Sequence, residues 1–497
     1  MLKRKTKIVA TMGPATNTPE AIEAVLLAGA DVIRLNLSHG SLDEHASTLA
    51  MLREAAKKLN RPVAALVDLP GPKIRTGRLI GGKAELIPGA LIKITDDELT
   101  GDASRVSTTC KGLYRDVVQG QRLLLDDGLM ELKALGVDDK TIRCEVVAGG
   151  ILRNNKGINL PDTALSAPAL TERDLEGVDF AVKHGADYVA LSFVRRPDEV
   201  VELKRLINEK GADIPVIAKI EKKEAVDSLD LIIKEAWGIM IARGDLGVEL
   251  SPEAVPVLQK RIIQAANEAG KAVITATQML ESMITNPRPT RAEASDVANA
   301  VFDGTDCLML SGETAVGRYA SEAIRIMSRI ATEAEEAILK QPRRIRRSDA
   351  PGGSFAQAVV CAAAEAEGEV NPKAIAVFTQ SGDTARMLSK LRPSTPIVAF
   401  TPLEATRNRL SLLWGVEPLL IKFGEHTDEM ICRAEAALLD NGVAEWRDTL
   451  IIVSGTKVGL RGATNMMKID WIGSEECKLY LKKQLEEGPP PLRRASD

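Results

Sequence analysis

The chain has 497 residues, 45% of them hydrophobic and 27% charged, and a net charge of −4; its length suits about three domains of ~150 residues each. A balance so close to neutral gives no reason to expect nucleic acid or an anionic membrane as a partner. Aromatics, at 3%, are too few for base-stacking platforms.

The basic start "MLKRKTKIVA" is followed by Thr11, Gly13 and Pro14, which break the apolar run before a signal-peptide core or membrane span forms. The six cysteines include no C-x-x-C pair and read as reduced core thiols. A cytoplasmic globular protein is expected. Short β-rich runs then follow one another: "TKIVATMG", "DVIRLNLSHG", "PVAALVDLPG", "ADYVALSFV", "PVIAKIE", "GIMIARGDLG", "KAVITATQM" and "DCLMLSGET". Helical stretches separate most of them, the first with Thr18 as N-cap and Pro19 at its first position, later ones at 171–184, 197–210, 252–269 and 291–301. Each run is nearly continuously apolar, as parallel strands buried on both faces should be. Eight alternations predict a closed (β/α)8 barrel, an α/β fold, over 1–70 and 166–340.

One connection is too long. Between Asp68 and Ala186 lie "AELIPGALIKIT", "QRLLLDDGLMEL" and "TIRCEVVAGG", which read as strands joined by Gly-rich or Asp-rich turns. An inserted all-β lid, a small β-barrel over 71–165, is expected on the barrel's C-terminal face. After the basic connector "QPRRIRRSDAPGGS" the pattern restarts as a helix and the runs "AIAVFTQSG", "PIVAFTP", "PLLIKF" and "DTLIIVSG". This predicts an open α/β domain over 341–480. The end, 481–497, is polar and Pro-rich and reads as a flexible tail; its "RRAS" is taken as an ordinary basic tail.

In such a barrel, polar residues at the C-terminal strand ends converge on one cavity. Strand two ends in Arg34, Asn36, Ser38 and His39; strand three in Asp68, with Lys73 and Arg75 beyond it. Strand four ends in Ser192 and Arg195, strand five in Lys219 and Glu221, strand six in Arg243, Gly244 and Asp245. Strand seven ends in Thr277 and Gln278, strand eight in Ser311 and Glu313. Any one pair would pass as a solvated strand end or salt bridge; repetition over seven strands predicts an active site. Glu221 and Asp245, with no histidine or thiolate cluster nearby, suit a hard cation such as Mg²⁺ or Mn²⁺. Arg34, Lys73, Arg75 and Lys219 call for an anionic substrate, because cationic clamps neutralise phosphoryl groups in transfer. No G-x-x-x-x-G-K-[ST] loop is present. Lys156, in "GGILRNNKGINLP", stands at the lid's return.

These residues lie in motifs that resemble the pyruvate kinase family over nearly the whole chain: "ATMGPA", "RLNLSHG", "GPKIRTG", "NNKGINLP", "AKIE", "IARGDLGVEL", "ATQMLESMITNPRPTRAEASDVANAV" and "LMLSGETAVG". The resemblance implies phosphoryl transfer from phosphoenolpyruvate to ADP, giving pyruvate and ATP, in a homotetramer of cytoplasmic chains. It assigns Glu221 and Asp245 to the divalent ion, and Lys219 to the transferring phosphoryl group and the developing enolate. Arg34 would hold the phosphoryl group; Gly244, Asp245 and Thr277 would form the carboxylate pocket. Arg75 and Lys156, with Asn36 and His39, would face the nucleotide. Thr277 and a water chain toward Ser311 and Glu313 are alternative routes for protonating the enolate. Two rivals remain open: another metal-dependent phosphoenolpyruvate or oxaloacetate enzyme on the same barrel, and a non-catalytic sensor.

Two departures bear on regulation and ions. Many family members hold K⁺ with counterparts of Asn36, Ser38, Asp68 and the next residue, a threonine where this chain has Leu69. Their turn reads "GPEIR", with glutamate in place of Lys73. The expectation is that the Lys73 ammonium pairs with Asp68 and replaces K⁺, which is then not required. In "FTQSGDTARML", Thr379, Ser381, Gly382 and Thr384 mark a strand-to-helix turn that the family uses for a phosphorylated effector. Asp383 stands where bisphosphate-activated members carry a basic residue, so a sugar or nucleoside monophosphate is expected.

Overall fold

The computed structural model describes residues 4–166, 168–340, 354–424, 426–456, 462–473 and 477. The connector at 341–353 and the tail at 481–497 lie outside the described residues. Eight parallel strands form the closed barrel in sequence order: Lys7–Thr11, Val32–Asn36, Ala64–Asp68, Tyr188–Leu191, Val216–Ile220, Gly238–Ala242, Ala272–Ala276 and Cys307–Leu310. They are the eight runs read from the sequence. Nearly all of their residues are buried, as parallel strands covered on both faces require. The first helix, Pro19–Ala28, is capped by the Thr18 hydroxyl, which accepts from the Ala21 N–H at 3.2 Å, and ends at left-handed Gly29. Among the described residues no helix is long and apolar enough to cross a membrane.

By internal contacts the chain divides into two compact units. One comprises 34–49 and 66–278; the other comprises 1–33, 50–65 and 279–497. The 66–278 unit contains the long insertion. Its strands form a six-stranded sheet in the order Ile158–Asn159, Arg122–Leu125, Met130–Asp138, Thr141–Ala148, Leu91–Thr95 and Arg105–Ser107, with a separate ribbon of Lys83–Leu86 and Gly150–Arg153. The expected single small barrel is therefore replaced by a sheet and a ribbon. The proline–glycine turn at 88–89 separates Lys83–Leu86 from Leu91–Thr95, which lets the two strands pair in different sheets. The insertion has its own apolar core, including Ile92, Ile94, Leu123, Leu132, Ile142 and Val146.

The other unit carries the first and eighth barrel strands and a five-stranded sheet, Val416–Leu420, Ile397–Thr401, Ala374–Phe378, Thr449–Gly455 and Thr464–Trp471. The last strand is antiparallel and was not expected from the sequence. It lies at the sheet edge with three of its eight residues exposed and one buried, so it lacks the continuous apolar run of its neighbours. Lys390 and Arg392 clamp Asp306, just before the eighth barrel strand, and Arg392 lies 4.6 Å over the Trp414 ring.

The cysteine expectation holds only in part. Cys110, Cys144, Cys307 and Cys361 are free thiols, whereas Cys432 and Cys477 form a disulfide. Their separation of 45 residues matches no short spacing motif; only the packing of the chain after the edge strand onto helix Thr427–Asp440 joins them.

Candidate active site

Within the 66–278 unit and its 34–49 segment, the strand ends carry one chain of alternating charges. Arg34 approaches Asp68 with both Nε and a terminal nitrogen on Oδ2, at 2.7 and 2.6 Å. The other Asp68 oxygen lies 3.3 Å from the Lys219 ammonium and accepts the Ser192 hydroxyl at 3.3 Å. Lys219 also donates to Ser192 Oγ at 2.7 Å and reaches Glu221 Oε1 at 3.0 Å. Glu221 Oε2 accepts the main-chain N–H of Phe193 at 2.7 Å. Period-two alternation explains the spacing: Lys219 and Glu221 flank Ile220 and so share a face.

Burial disfavours each of these charges, and the neighbours decide the outcome. Burial alone would raise Asp68, but Lys219 and Arg34 hold its carboxyl below the ordinary range. Burial would lower Lys219, yet Asp68 and Glu221 keep its pKa above the ordinary value, so it is a fixed cation. Glu221 goes the other way. Burial raises it and Asp245 adds like-charge repulsion, against the pull of Lys219.

That repulsion tests the fit of a divalent cation. Both groups are oxygen donors, and the negative charge of Asp245 raises the proton affinity of Glu221, a penalty that a cation beside them would remove. Among the described residues no three His, Cys, Asp or Glu side chains converge as a metal cage. Two carboxylates alone suit Mg²⁺, which takes its remaining ligands from substrate oxygens and water. The residues fit the ion.

Lys73 lies elsewhere than expected. Its ammonium is 3.5 Å from Asp245 Oδ1, whereas the contacts of Asp68 come from Arg34, Lys219 and Ser192. The Asp68 oxygens are already engaged, and the turn at Gly71 carries Lys73 past them. Gly71 has φ +66°, and a Cβ there would lie 2.8 Å from the Phe193 ring and 3.0 Å from Ser192 Cβ, so only glycine fits. Leu69 is buried, and its side chain packs with Leu37 against Gly177 of helix Glu172–Lys183. Asn36 Oδ1 accepts the Ser38 N–H at 3.2 Å, a local turn at the strand end.

Arg75 and Lys156 share one corner of the insertion. The Thr76 N–H donates to the Lys156 carbonyl at 2.7 Å, and the Arg75 guanidinium reaches the Asn155 carbonyl at 3.2 Å. Lys156 pairs with Asp126 at 2.8 Å. His39 accepts a bond from His45 through its carbonyl. Its imidazole pKa is pushed down by partial burial and then by Arg75, Arg34, Arg173 and Lys73. The four cations around this imidazole make a positive field at that corner.

The Gly244 N–H donates to Thr277 Oγ1 at 2.8 Å. Thr277 and Gln278 both have positive φ, +69° and +52°, a conformation costing about 1–3 kcal/mol at each non-glycine residue. Ser311 and Glu313 belong to the other unit. There Glu313 accepts the N–H groups of Leu280 and Ser311 at 2.9 and 2.8 Å, and the Ser311 hydroxyl is buried without a hydrogen-bond partner among the described residues. A carboxylate anchoring two main-chain donors is built to hold a turn.

Sequence reasoning gave no role to Ser192, Arg243, Arg173 or Asp126, and did not notice Phe193. Ser192 and Arg243 carried a signal, their place at strand ends. Phe193 contributes only a main-chain N–H, which no side-chain pattern reveals.

The expected effector turn, 379–384, lies in the other unit, at the start of helix Asp383–Lys390. Thr379 Oγ1 accepts the Gly382 N–H at 2.9 Å. The Ser381 hydroxyl donates to Asp383 at 2.8 Å, and Arg386 reaches the same carboxylate at 3.1 Å. Thr384 shares a 2.7 Å hydroxyl contact with Thr464.

Comparison with known proteins agrees along the chain. The family profile described as the barrel domain of pyruvate kinase matches residues 3–324, and that of the pyruvate kinase alpha/beta domain matches 357–470. Curated pyruvate kinases of Staphylococcus aureus strains MRSA252 and USA300 are each 44% identical over 474 residues, 95% of this chain and 81% of theirs. The crystal structure of a pyruvate kinase from Cryptosporidium parvum has a TM-score of 0.87 and 38% identity, covering 95% of this chain and 96% of that one.

Proposed function

The chain belongs to the pyruvate kinase family and is a phosphotransferase, and on that premise we propose how its residues divide the work of moving a phosphoryl group from phosphoenolpyruvate to ADP. The observation that carries the reading is the buried series Arg34, Asp68, Lys219, Glu221, two fixed cations interleaved with two carboxylates. Arg34 and Lys219 take the phosphoryl oxygens. Asp68 holds both cations in place and keeps Lys219 charged, so the charge passing through the transfer meets groups that need not reorganise.

Glu221 and Asp245 hold the divalent cation, Mg²⁺ or Mn²⁺, which when bound supplies Lewis-acid stabilisation of the enolate and carboxylate oxygens. Lys219, being a permanent ammonium, stabilises the same enolate from the protein side. The substrate carboxylate is held beside Gly244, with Thr277 and Asp245 completing that pocket. Arg75 and Lys156, with Asn36 and His39, neutralise the nucleotide phosphates. Within the 66–278 unit the proton for the enolate methylene is sought from Thr277.

The same reading extends to domains, ions and regulation. Residues 71–165 act as a lid on a barrel of 1–70 and 166–340, and 341–480 receive an effector. K⁺ is not required, because the Lys73 ammonium brings a monovalent charge to the site, beside Asp245. In the order of the five-stranded sheet, Ala374–Phe378 and Thr449–Gly455 flank the point where connections reverse, where open α/β sheets bind ligands. Thr379, Ser381, Gly382 and Thr384 there suit one phosphate, while Asp383 opposes a second. The effector is then a sugar or nucleoside monophosphate, acting on a cytoplasmic homotetramer.

A coupled assay with phosphoenolpyruvate, Mg²⁺ and varied ADP tests the core of this. Pyruvate formation should require ADP and yield ATP in equal amount; ADP-independent formation would favour a lyase on the same barrel, and none at all a sensor.

A further inference from the structure

We propose that Arg243 is a positioning residue for the reaction, holding the left-handed turn that presents Thr277 to the substrate by binding three successive carbonyls. Its Nε donates to the Ala276 carbonyl at 3.3 Å, and one terminal nitrogen donates to the carbonyls of Thr277 at 2.7 Å and Gln278 at 3.3 Å. The other terminal nitrogen donates to Gln259 Oε1 at 3.2 Å. Gln259 is itself buried on helix Val255–Glu268, so the guanidinium is aimed from behind.

The turn needs such a hold. Thr277 and Gln278 are consecutive non-glycine residues with positive φ, a state that persists only when the surroundings over-determine it. A planar fork with donors on several edges can span three carbonyls at once; a lysine ammonium, a point charge, cannot. The neighbouring residue completes the clamp. Gly244 donates its N–H to Thr277 Oγ1 at 2.8 Å, while the Thr277 hydroxyl donates to the Ala276 carbonyl at 2.6 Å. Two successive residues at the start of helix Arg243–Glu249 therefore fix both the backbone and the hydroxyl of Thr277. The same helix carries Asp245, so the turn and the carboxylate are registered against one rigid piece.

The inference rests on the reading of Thr277 as part of the substrate pocket, and the test separates the two. Steady-state kinetics for phosphoenolpyruvate are measured on Arg243→Lys, Thr277→Ala, their double variant, and Arg243→Lys with Gln278→Gly. Arg243→Lys should lower kcat/KM about 10–100-fold, the scale of a misplaced reacting group, and divide the loss between kcat and KM as Thr277→Ala does. In the Thr277→Ala background the same change should cost less than about threefold, because coupled sites are not additive. Gln278→Gly should restore Arg243→Lys by about threefold or more, since glycine takes positive φ without strain. A purely structural arginine predicts additive losses and no rescue by glycine, and either result overturns the proposal. Parental activity in Thr277→Ala would remove the pocket reading and the proposal together. If Arg243→Lys fails to fold, Gln259→Leu takes its place in the cycle; no loss in that variant counts against the proposal.

Discussion

The Lys73 ammonium stands 3.5 Å from Asp245 Oδ1, a lysine at the neck of the insertion paired with a carboxylate of the proposed metal site. Both groups are about a quarter to a third exposed, so the contact adds little to stability. Its effect is on the charge within the site. Activity should persist in sodium or tetramethylammonium salts, with KCl at matched ionic strength raising it less than about tenfold, or ~1.4 kcal/mol of transition-state stabilisation. Lys73→Glu should create a K⁺ requirement. A large K⁺ activation of the parent would remove this assignment.

Glu221→Gln removes a charge at nearly constant shape. The variant should fold, bind Mn²⁺ more weakly in a titration, and need higher Mg²⁺ for turnover; near-parental turnover at low Mg²⁺ would show that Glu221 is not a ligand. Because burial and Asp245 raise the Glu221 pKa above 4.5, metal affinity should fall with decreasing pH before an ordinary carboxylate would protonate.

Asp68 has the opposite linkage. Its folded pKa lies below the ordinary 3.8 because Lys219 and Arg34 outweigh burial. Its contribution to stability is therefore present above pH 3.8 and lost as pH falls through the lower native value. Asp68→Asn should abolish that part of the acid dependence and cost about 3–5 kcal/mol, since two buried cations lose their anion. Urea unfolding of both proteins at neutral and acid pH measures it. Equal stability at neutral pH would contradict the buried network.

The insertion is tied to the barrel through one oxygen of Glu249, which accepts from Asn159 at 2.9 Å and Lys222 at 2.6 Å. Asn159→Leu should remove a bond to a charged group worth about 1.5–3 kcal/mol while leaving the buried ion pair. Faster hydrogen exchange over 150–160 and a raised KM for ADP, with little change for phosphoenolpyruvate, are expected. Unchanged exchange would show that this bond does not hold the insertion.

In the proposed effector loop Asp383 is already held by Ser381 and Arg386. A panel of sugar and nucleoside monophosphates should contain compounds that lower half-saturation for phosphoenolpyruvate, with matching bisphosphates no better. Saturation curves unmoved by the whole panel would remove the effector assignment.

Much of this architecture was legible in one dimension. Parallel strands covered on both faces must be apolar throughout, so "PVIAKIE" or "DCLMLSGET" announces a barrel strand without any knowledge of its neighbours. The polar residues closing those strands announce a site for the same reason: alternation places Lys219 and Glu221 on one face whatever packs beside them. The edge strand Thr464–Trp471 escaped because water covers part of it and no apolar run is needed. Cys432 and Cys477 escaped because their pairing depends on where a later stretch of chain folds back.

What only the tertiary structure decided is partnership. From its turn Lys73 was expected beside Asp68, but its pairing with Asp245 follows from Arg34, Lys219 and Ser192 having filled Asp68 first. Phe193 serves Glu221 through a backbone N–H that every residue except proline possesses. Thr277 is held left-handed by an arginine from the preceding strand's end, and nothing in its own neighbourhood of sequence requires that φ. Local sequence determines which faces are apolar and which residue types stand at strand ends, because those depend on periodicity alone. Which charge meets which, and which strain is held, depends on atoms brought together from distant segments, and only the folded chain sets those distances.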